Sequence, residues 1–293
     1  MTFAASVLAD SVAYSYGKSF RLLTLRMTMP TIIHAEHLRH RAFSFSVASL
    51  RAMPTSKLLS QISSNPFVPV HWGAAEPGMQ AHAEIPPEKR QEAERHYRAA
   101  IATAISHAQH LHGLGLHKQV VNRLLMPYTW TTTVCTGSLR AWQHFWALRC
   151  HEMAEPHIRM IAELSRDAVR QSTPVKRRLM WVRNLYSADW HLPFVTDEER
   201  ADDTVQWHLV SAARCARVSY QQHDGQRDLQ KDLTLANKLM KDGHWSPFEH
   251  QACHLAGEDS RKHGNLARPW TQHRKCYENE YTPETPDPVN LSA

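Results

Sequence analysis

Arg39-His40-Arg41-Ala42-Phe43-Ser44-Phe45-Ser46-Val47-Ala48-Ser49-Leu50-Arg51 is the stretch from which the chain is best read. Two arginines and a histidine crowd its start, an arrangement that is costly unless anions neutralise it. Arginine forks bind phosphates and carbonyl oxygens in a bidentate manner. A serine hydroxyl with its neighbouring backbone amides completes an anion pocket. Basic residues alone would be read as a solvated turn. The interval of seven residues between Arg41 and Ser49, with Arg51 just beyond, makes the stretch more specific than that.

Around it, the residue pattern predicts a strand and several helices. Arg21–Met29 alternates basic or hydroxyl residues with Leu and Met, as a half-buried strand does. Pro30 is placed to open a helix running through His34, Glu36 and Arg39. Seven prolines and glycines between residues 63 and 87 predict an irregular excursion. Glu88 to about His112 predicts a long helix, and Leu116–Met126 a short one ended by Pro127. Leu139, Trp142, Phe145, Trp146 and Arg149 share one helical face, on which Arg149 must find a buried partner. Pro156 breaks that helix or starts the next, whose apolar side carries Ile158, Ile161, Ala162 and Leu164. Residues 172–205 are turn-rich and read as a connector. Leu229, Leu233, Ala236 and Met240 mark an amphipathic helix closed by Gly243. The tail after Tyr281, with three prolines, reads as irregular.

Arg-His-Arg followed after seven residues by Ser resembles the defining motif of the flavin-dependent thymidylate synthases. Other segments agree: Thr136-Gly137-Ser138-Leu139-Arg140-Ala141-Trp142-Gln143-His144-Phe145 with Leu148-Arg149, and Glu155-Pro156-His157-Ile158-Arg159. Ala213–Tyr220 and Gly243-His244-Trp245-Ser246-Pro247-Phe248-Glu249-His250 resemble two further family motifs. Family members carry these two before Arg-His-Arg, so the motifs look circularly permuted here. The chain is similar to a phage-associated branch that also has a stretch like His71-Trp72-Gly73 with Pro77-Gly78-Met79-Gln80, and a late Trp270-Thr271-Gln272-His273-Arg274-Lys275.

The resemblance implies one domain over residues 1–293: a core over 1–170, a connector over 171–205, and a segment over 206–280 resembling the family's N-terminal part. It implies an α+β fold with a mixed sheet and a long helical bundle, assembled as a homotetramer. The implied reaction is C5 methylation of a pyrimidine deoxynucleotide, dUMP to dTMP, with FAD, NADPH and 5,10-methylenetetrahydrofolate. Flavin would meet Arg39, His40, Arg41, Arg140 and His144, with His244 and Ser246 near its ring or ribityl chain. The nucleotide would meet Glu36, Arg39, Ser49, Leu50, Arg51, Arg123 and Arg149. Of these, Arg149 would polarise the pyrimidine ring and Ser49 share the catalytic centre. Either Asn122 or Arg123 takes the phosphate-binding role. The family's Asn-Glu before the serine is replaced by Ser46 and Val47, a Gln by Glu36, and an Asn by Ser138. Glu36 is an acceptor-only group suited to the amine of cytosine, so dCMP methylation or hydroxymethylation is the alternative.

Composition sets bounds on the rest. The chain has 293 residues, 42% hydrophobic and 21% charged, with net charge +6. No apolar stretch approaches a membrane span, and the N-terminus lacks the basic leader of a secretory signal. Five scattered cysteines without a CxxC pair argue for reduced thiols in a cytoplasmic setting, the host cytoplasm if phage-encoded. The 21 histidines are expected mostly at the surface. His34, His37 and His40 drift around a helix rather than facing one point, so no metal site is expected. A nucleic-acid-binding protein is the rival class, but no recognition motif or basic stripe supports stable nucleic-acid binding.

Overall fold

The computed structural model describes residues 1–79, 81, 83–180, 189–220, 228–256, 260–278 and 280. The tail beyond Tyr281 and Gln80 of the resemblance lie outside them.

The strand expected over Arg21–Met29 is the middle of β2 (Lys18–Pro30), which forms an antiparallel hairpin with β1 (Ala4–Ser15). Tyr16 and Gly17 make the turn with φ of 49° and 71°, the left-handed pair that suits the twist of a hairpin. β3 (Ser44–Val47), β4 (Trp130–Ser138) and β5 (Val175–Lys176) complete a sheet of order β3-β4-β2-β1-β5. Only β5, from the stretch read as a connector, runs parallel to its neighbour; the other pairs are antiparallel.

The helix predicted through Arg39 is shorter than expected. A 3-10 turn over Thr31–Ile33 leads into α1 (His34–His37), and Arg39–Arg41 lie in the turn that follows. Phe43 supplies the reason: it must enter the core and starts the approach to β3. Then come α2 (Thr55–Ser64), α3 (Pro87–Gly113) and α4 (Lys118–Leu124). Pro127 does not end α4, which stops at Leu124; it sits inside a separate 3-10 turn, Met126–Tyr128. These helices form a layer with its own core of Leu58, Ile62, Ile101, Ala108, Val121 and Leu125.

α5 (Leu139–Arg149) and α6 (Pro156–Arg170) cover one face of the sheet. Trp142 and Phe145 of α5 and Ile158, Ile161 and Ala162 of α6 pack on Leu23, Leu25, Met27 and Met29 of β2. Leu164, expected in that apolar stripe, is 39% exposed, and Ser165 and Val169 take the inward positions instead. Ser138, standing where the family has Asn, caps α5 by accepting from the Ala141 amide at 3.3 Å. Both residue types serve as N-caps, so this replacement keeps its local job.

Part of the other sheet face is covered by α7 (Trp207–Arg217) and by stretches around His191, His250 and Trp270. α8 (Leu229–Lys241) packs on α7 through Ala212, Ala213 and Ala236 and ends, as expected, at Gly243 with φ 70°. Arg214 is braced by Glu199 and Asp232, and Arg217 shares Asp232. β6 (Ala252–Cys253) and β7 (Thr271–Gln272) form a small separate ladder.

Candidate active site

The Arg39–Arg41 turn is held by its neighbour in sequence. Phe43 inserts against Trp142, with ring centroids 4.5 Å apart, and lies directly over Gly137. A Cβ at Gly137 would overlap the Phe43 ring, which explains the glycine in physical terms. His40 rests edge-on against Phe145 with centroids at 4.9 Å. Arg149, at the end of α5, donates from Nε to His40 Nε2 at 3.1 Å and from Nη1 to Glu36 Oε2 at 3.3 Å. His40 therefore accepts at Nε2, and its neutral form is the one this geometry needs. Burial, then Arg149 and His144, push its pKa down to about 4.

Arg149 is not the deeply buried cation expected from its place on the apolar face. Its side chain is 24% exposed, because it extends past the end of the helix toward Glu36. Arg39, Arg41, Arg140 and His144 are exposed around this point, and among the described residues Arg39, Arg41 and Arg140 make no ion pair. His244 and Ser246 are exposed as well, His244 just before and Ser246 opening the 3-10 turn Ser246–Glu249.

A cleft of about 320 Å³ lies beside α1, lined by Thr31, His34, Ser49, Leu50, Arg51 and Arg123 together with Trp130 and Thr131. The Ser49 amide donates to the Ser219 carbonyl at 3.0 Å, which ties the cleft's rim to the Ala213–Tyr220 segment. Asn122 and Arg123 differ in burial. Asn122 is fully enclosed: it accepts from Thr55 Oγ1 at 2.9 Å and donates to the carbonyls of Leu50 and Met53 at 2.7 and 3.0 Å. It builds the loop, while the exposed Arg123 lines the cleft. His34 Nε2 and Trp130 Nε1 are buried polar atoms of cleft-lining residues with no partner among the described residues.

Residues to which sequence reasoning assigned no such role, and others it did not single out (Thr24, His191, Ser11), hold this region in place. Ser46 Oγ bonds His250 Nε2 at 2.9 Å, and His250 Nδ1 bonds Thr136 Oγ1 at 2.8 Å. The chain continues through Thr24, His191 and Ser11 to Arg177, crossing β3, β4, β2 and β1 in order. Gln272 of the late motif donates to Ser44 Oγ, the Glu249 carbonyl and Asn265 Oδ1, so it braces β3. The His71-Trp72-Gly73 stretch packs on α3, with Trp72 and Tyr97 centroids 5.9 Å apart. Histidines thus serve the interior more than expected: His37, His157, His191, His208, His250, His254, His263 and His273 are buried. Each hydroxyl in the cross-sheet row is an ordinary Ser or Thr, which leaves no pattern to read in advance.

A family model described as thymidylate synthase complementing protein matches residues 20–175 and 206–282. The chain belongs to that family. Among solved structures, it is similar to a UMP/dUMP methylase, PolB from Streptomyces cacaoi, bound with 5-Br dUMP. That likeness is at 21% identity and TM-score 0.44, over 52% of this chain and 66% of that one. The same methylase bound with 5-Br UMP matches at 17% identity and TM-score 0.48, over 58% of this chain and 89% of that one. This chain thus spans just under two thirds of the first of these relatives. No curated protein matches it.

Two matched family segments meet in space within the chain: Gly243–His250 touches the Arg39–Ser49 stretch through the Ser46–His250 bond, and Glu249 shares Gln272 with Ser44. No helix among the described residues is long and apolar enough to cross a membrane.

Proposed function

We propose that this protein methylates C5 of a pyrimidine deoxynucleotide, dUMP, and that the order of its motifs is a permutation of the family's. The observation that carries the reading is the cleft beside α1, where Ser49, Arg51 and Arg123 converge and whose wall residue His34 stands two residues before Glu36, the partner of Arg149. Arg51 and Arg123 suit the 5′-phosphate, and Ser49 adds a hydroxyl donor.

C5 of uracil is a weak nucleophile until charge moves onto N3 and the ring carbonyls. Arg149, pinned by His40 and Glu36, presents a fixed cation that stabilises this charge as it develops and cannot itself lose a proton. Glu36 Oε2 accepts from Arg149, which fixes the carboxylate beside the cation. The exposed Arg39, Arg41 and Arg140, which make no ion pair among the described residues, form with His144 a donor set that fits an anionic flavin dinucleotide. Bound and reduced by NADPH, FAD would supply the hydride that completes a methyl from the one-carbon unit of methylenetetrahydrofolate. Completion of the site by other copies in a homotetramer accounts for so many cations left facing outward.

The test is release of tritium from C5 of dUMP and of dCMP, with FAD, NADPH and methylenetetrahydrofolate present and the product weighed by mass spectrometry. Release from dUMP with a product heavier by one methyl is expected. Release from dCMP alone would overturn the substrate, and a protein that leaves FAD fluorescence unquenched would overturn the cofactor.

A further inference from the structure

We propose that the part of the sheet's second face left open by the described residues is a separate binding site for a phosphate ester, held by Arg26 and Lys57. β2 is the central strand of the sheet, and its neighbours β1 and β4 both run antiparallel to it, so its second face can alternate between covered and solvated positions. Thr24 is fully buried there, yet Arg26, the next residue on that face, is exposed. It stands at the edge of a cleft of about 400 Å³ shared with Ser6, Thr28, Lys57, Gln61 and Thr132. Among the described residues no acidic side chain lines this cleft, and neither Arg26 nor Lys57 makes a hydrogen bond or ion pair.

Two cations facing one concavity without a counter-charge repel each other, and an anion relieves that repulsion. Lys57 adds a second strain of the same sign. It lies in the first turn of α2, where the helix dipole disfavours a cation and no acidic residue compensates. The hydroxyls of Thr28 and Thr132, 3.1 Å apart, and of Ser6 supply uncharged donors beside the guanidinium. A planar fork, an ammonium and hydroxyl donors without an acceptor-only group suit the several oxygens of a phosphate. The nucleotide cleft lies on the opposite side of β4: Thr131 faces it, and Thr132 faces this one. The two sites therefore do not share a ligand-binding residue.

The experiment titrates inorganic pyrophosphate into the whole protein at constant ionic strength, by calorimetry and 31P NMR. It is done in a background carrying Arg39→Gln, Arg41→Gln, Arg51→Gln, Arg123→Gln and Arg140→Gln, so that neither the nucleotide cleft nor the cations around Arg39 contribute. One saturable site per chain is expected, weakened at least tenfold by Arg26→Gln and by Lys57→Gln, and less by Arg26→Lys. Lys57 is exposed, so Lys57→Gln keeps the test valid if an Arg26 variant misfolds. Binding unchanged in Lys57→Gln and Arg26→Gln, or no saturable site at all, would overturn the proposal. Citrate binding more tightly than pyrophosphate would show a carboxylate site instead, which also overturns it. Failure of the methylation assay leaves this result untouched.

Discussion

Phe43 connects the sheet to the cationic turn, and its position depends on the missing side chain at Gly137. Gly137→Ala should cost about 1–3 kcal/mol, because the ring has Trp142 on its other side and cannot retreat freely. The displaced Phe43 should drag His40 off Phe145, so FAD affinity should fall with stability. A variant that keeps the wild-type melting temperature and FAD affinity would refute the coupling. Arg149→Ala addresses chemistry instead. Loss of a fixed cation at the site of developing charge should lower kcat by about 10²–10³-fold while flavin stays bound. Steady-state kinetics with an absorbance scan decides this, and unchanged turnover would count against Arg149. His40, with a pKa near 4, is neutral across the working range and should add no inflection to the rate profile above about pH 5.

Among the elements, the β1–β2 hairpin has a correctable flaw. Tyr16 is 98% exposed and holds φ of 49°, a conformation that Asn adopts at lower cost. Tyr16→Asn should raise stability by about 0.5–1 kcal/mol, read as a higher denaturant midpoint with unchanged m value. A lower midpoint would mean that the tyrosine ring makes a contact worth more than the strain. α5 and α6 are a different case, since Trp142 and Phe145 are fully enclosed between them and the sheet. Their periodicity was plain in the sequence because an apolar face at 3.6-residue spacing has one dominant physical cause. β1 and β4 were not singled out. The run Trp130-Thr131-Thr132-Thr133 has hydroxyls on both faces, so alternation of polarity, the signal of a half-buried strand, is missing.

For the molecule as a whole, the buried imidazoles predict a pH dependence. Burial, joined by neighbouring cations at His37, lowers His37 and His250 to about 3 and His208 to about 4, and drives His191 and His273 well below their usual value. These groups are neutral in the fold but take up a proton near 6.5 when unfolded. The unfolded chain then binds more protons below that pH, and stability falls as pH falls. The contribution is full above about pH 6.5 and declines by up to about 1.4 kcal/mol per pH unit for each such histidine until its folded pKa is reached. Melting temperature should hold between about pH 7 and 8 and drop steeply from about pH 6 to 4. A flat profile down to pH 4.5 would show that these side chains are open to water.

The chemistry-bearing motif, the long helices and the family were legible in the residues themselves, because periodicity and short-range spacing are local properties. The stop of α1 before Arg39, the commitment of Asn122 to the loop at Leu50 and Met53, and the grip of Glu36 and His40 on Arg149 were not. Each depends on groups about 70 to 110 residues apart, brought together only when the helices close on the sheet. The chain of hydroxyls and histidines from Ser46 to Ser11 is of the same kind: no residue in it is unusual, and only the strand register aligns them. Local composition determines which residue types are available; long-range packing decides which polar atoms lose their water and must find each other instead.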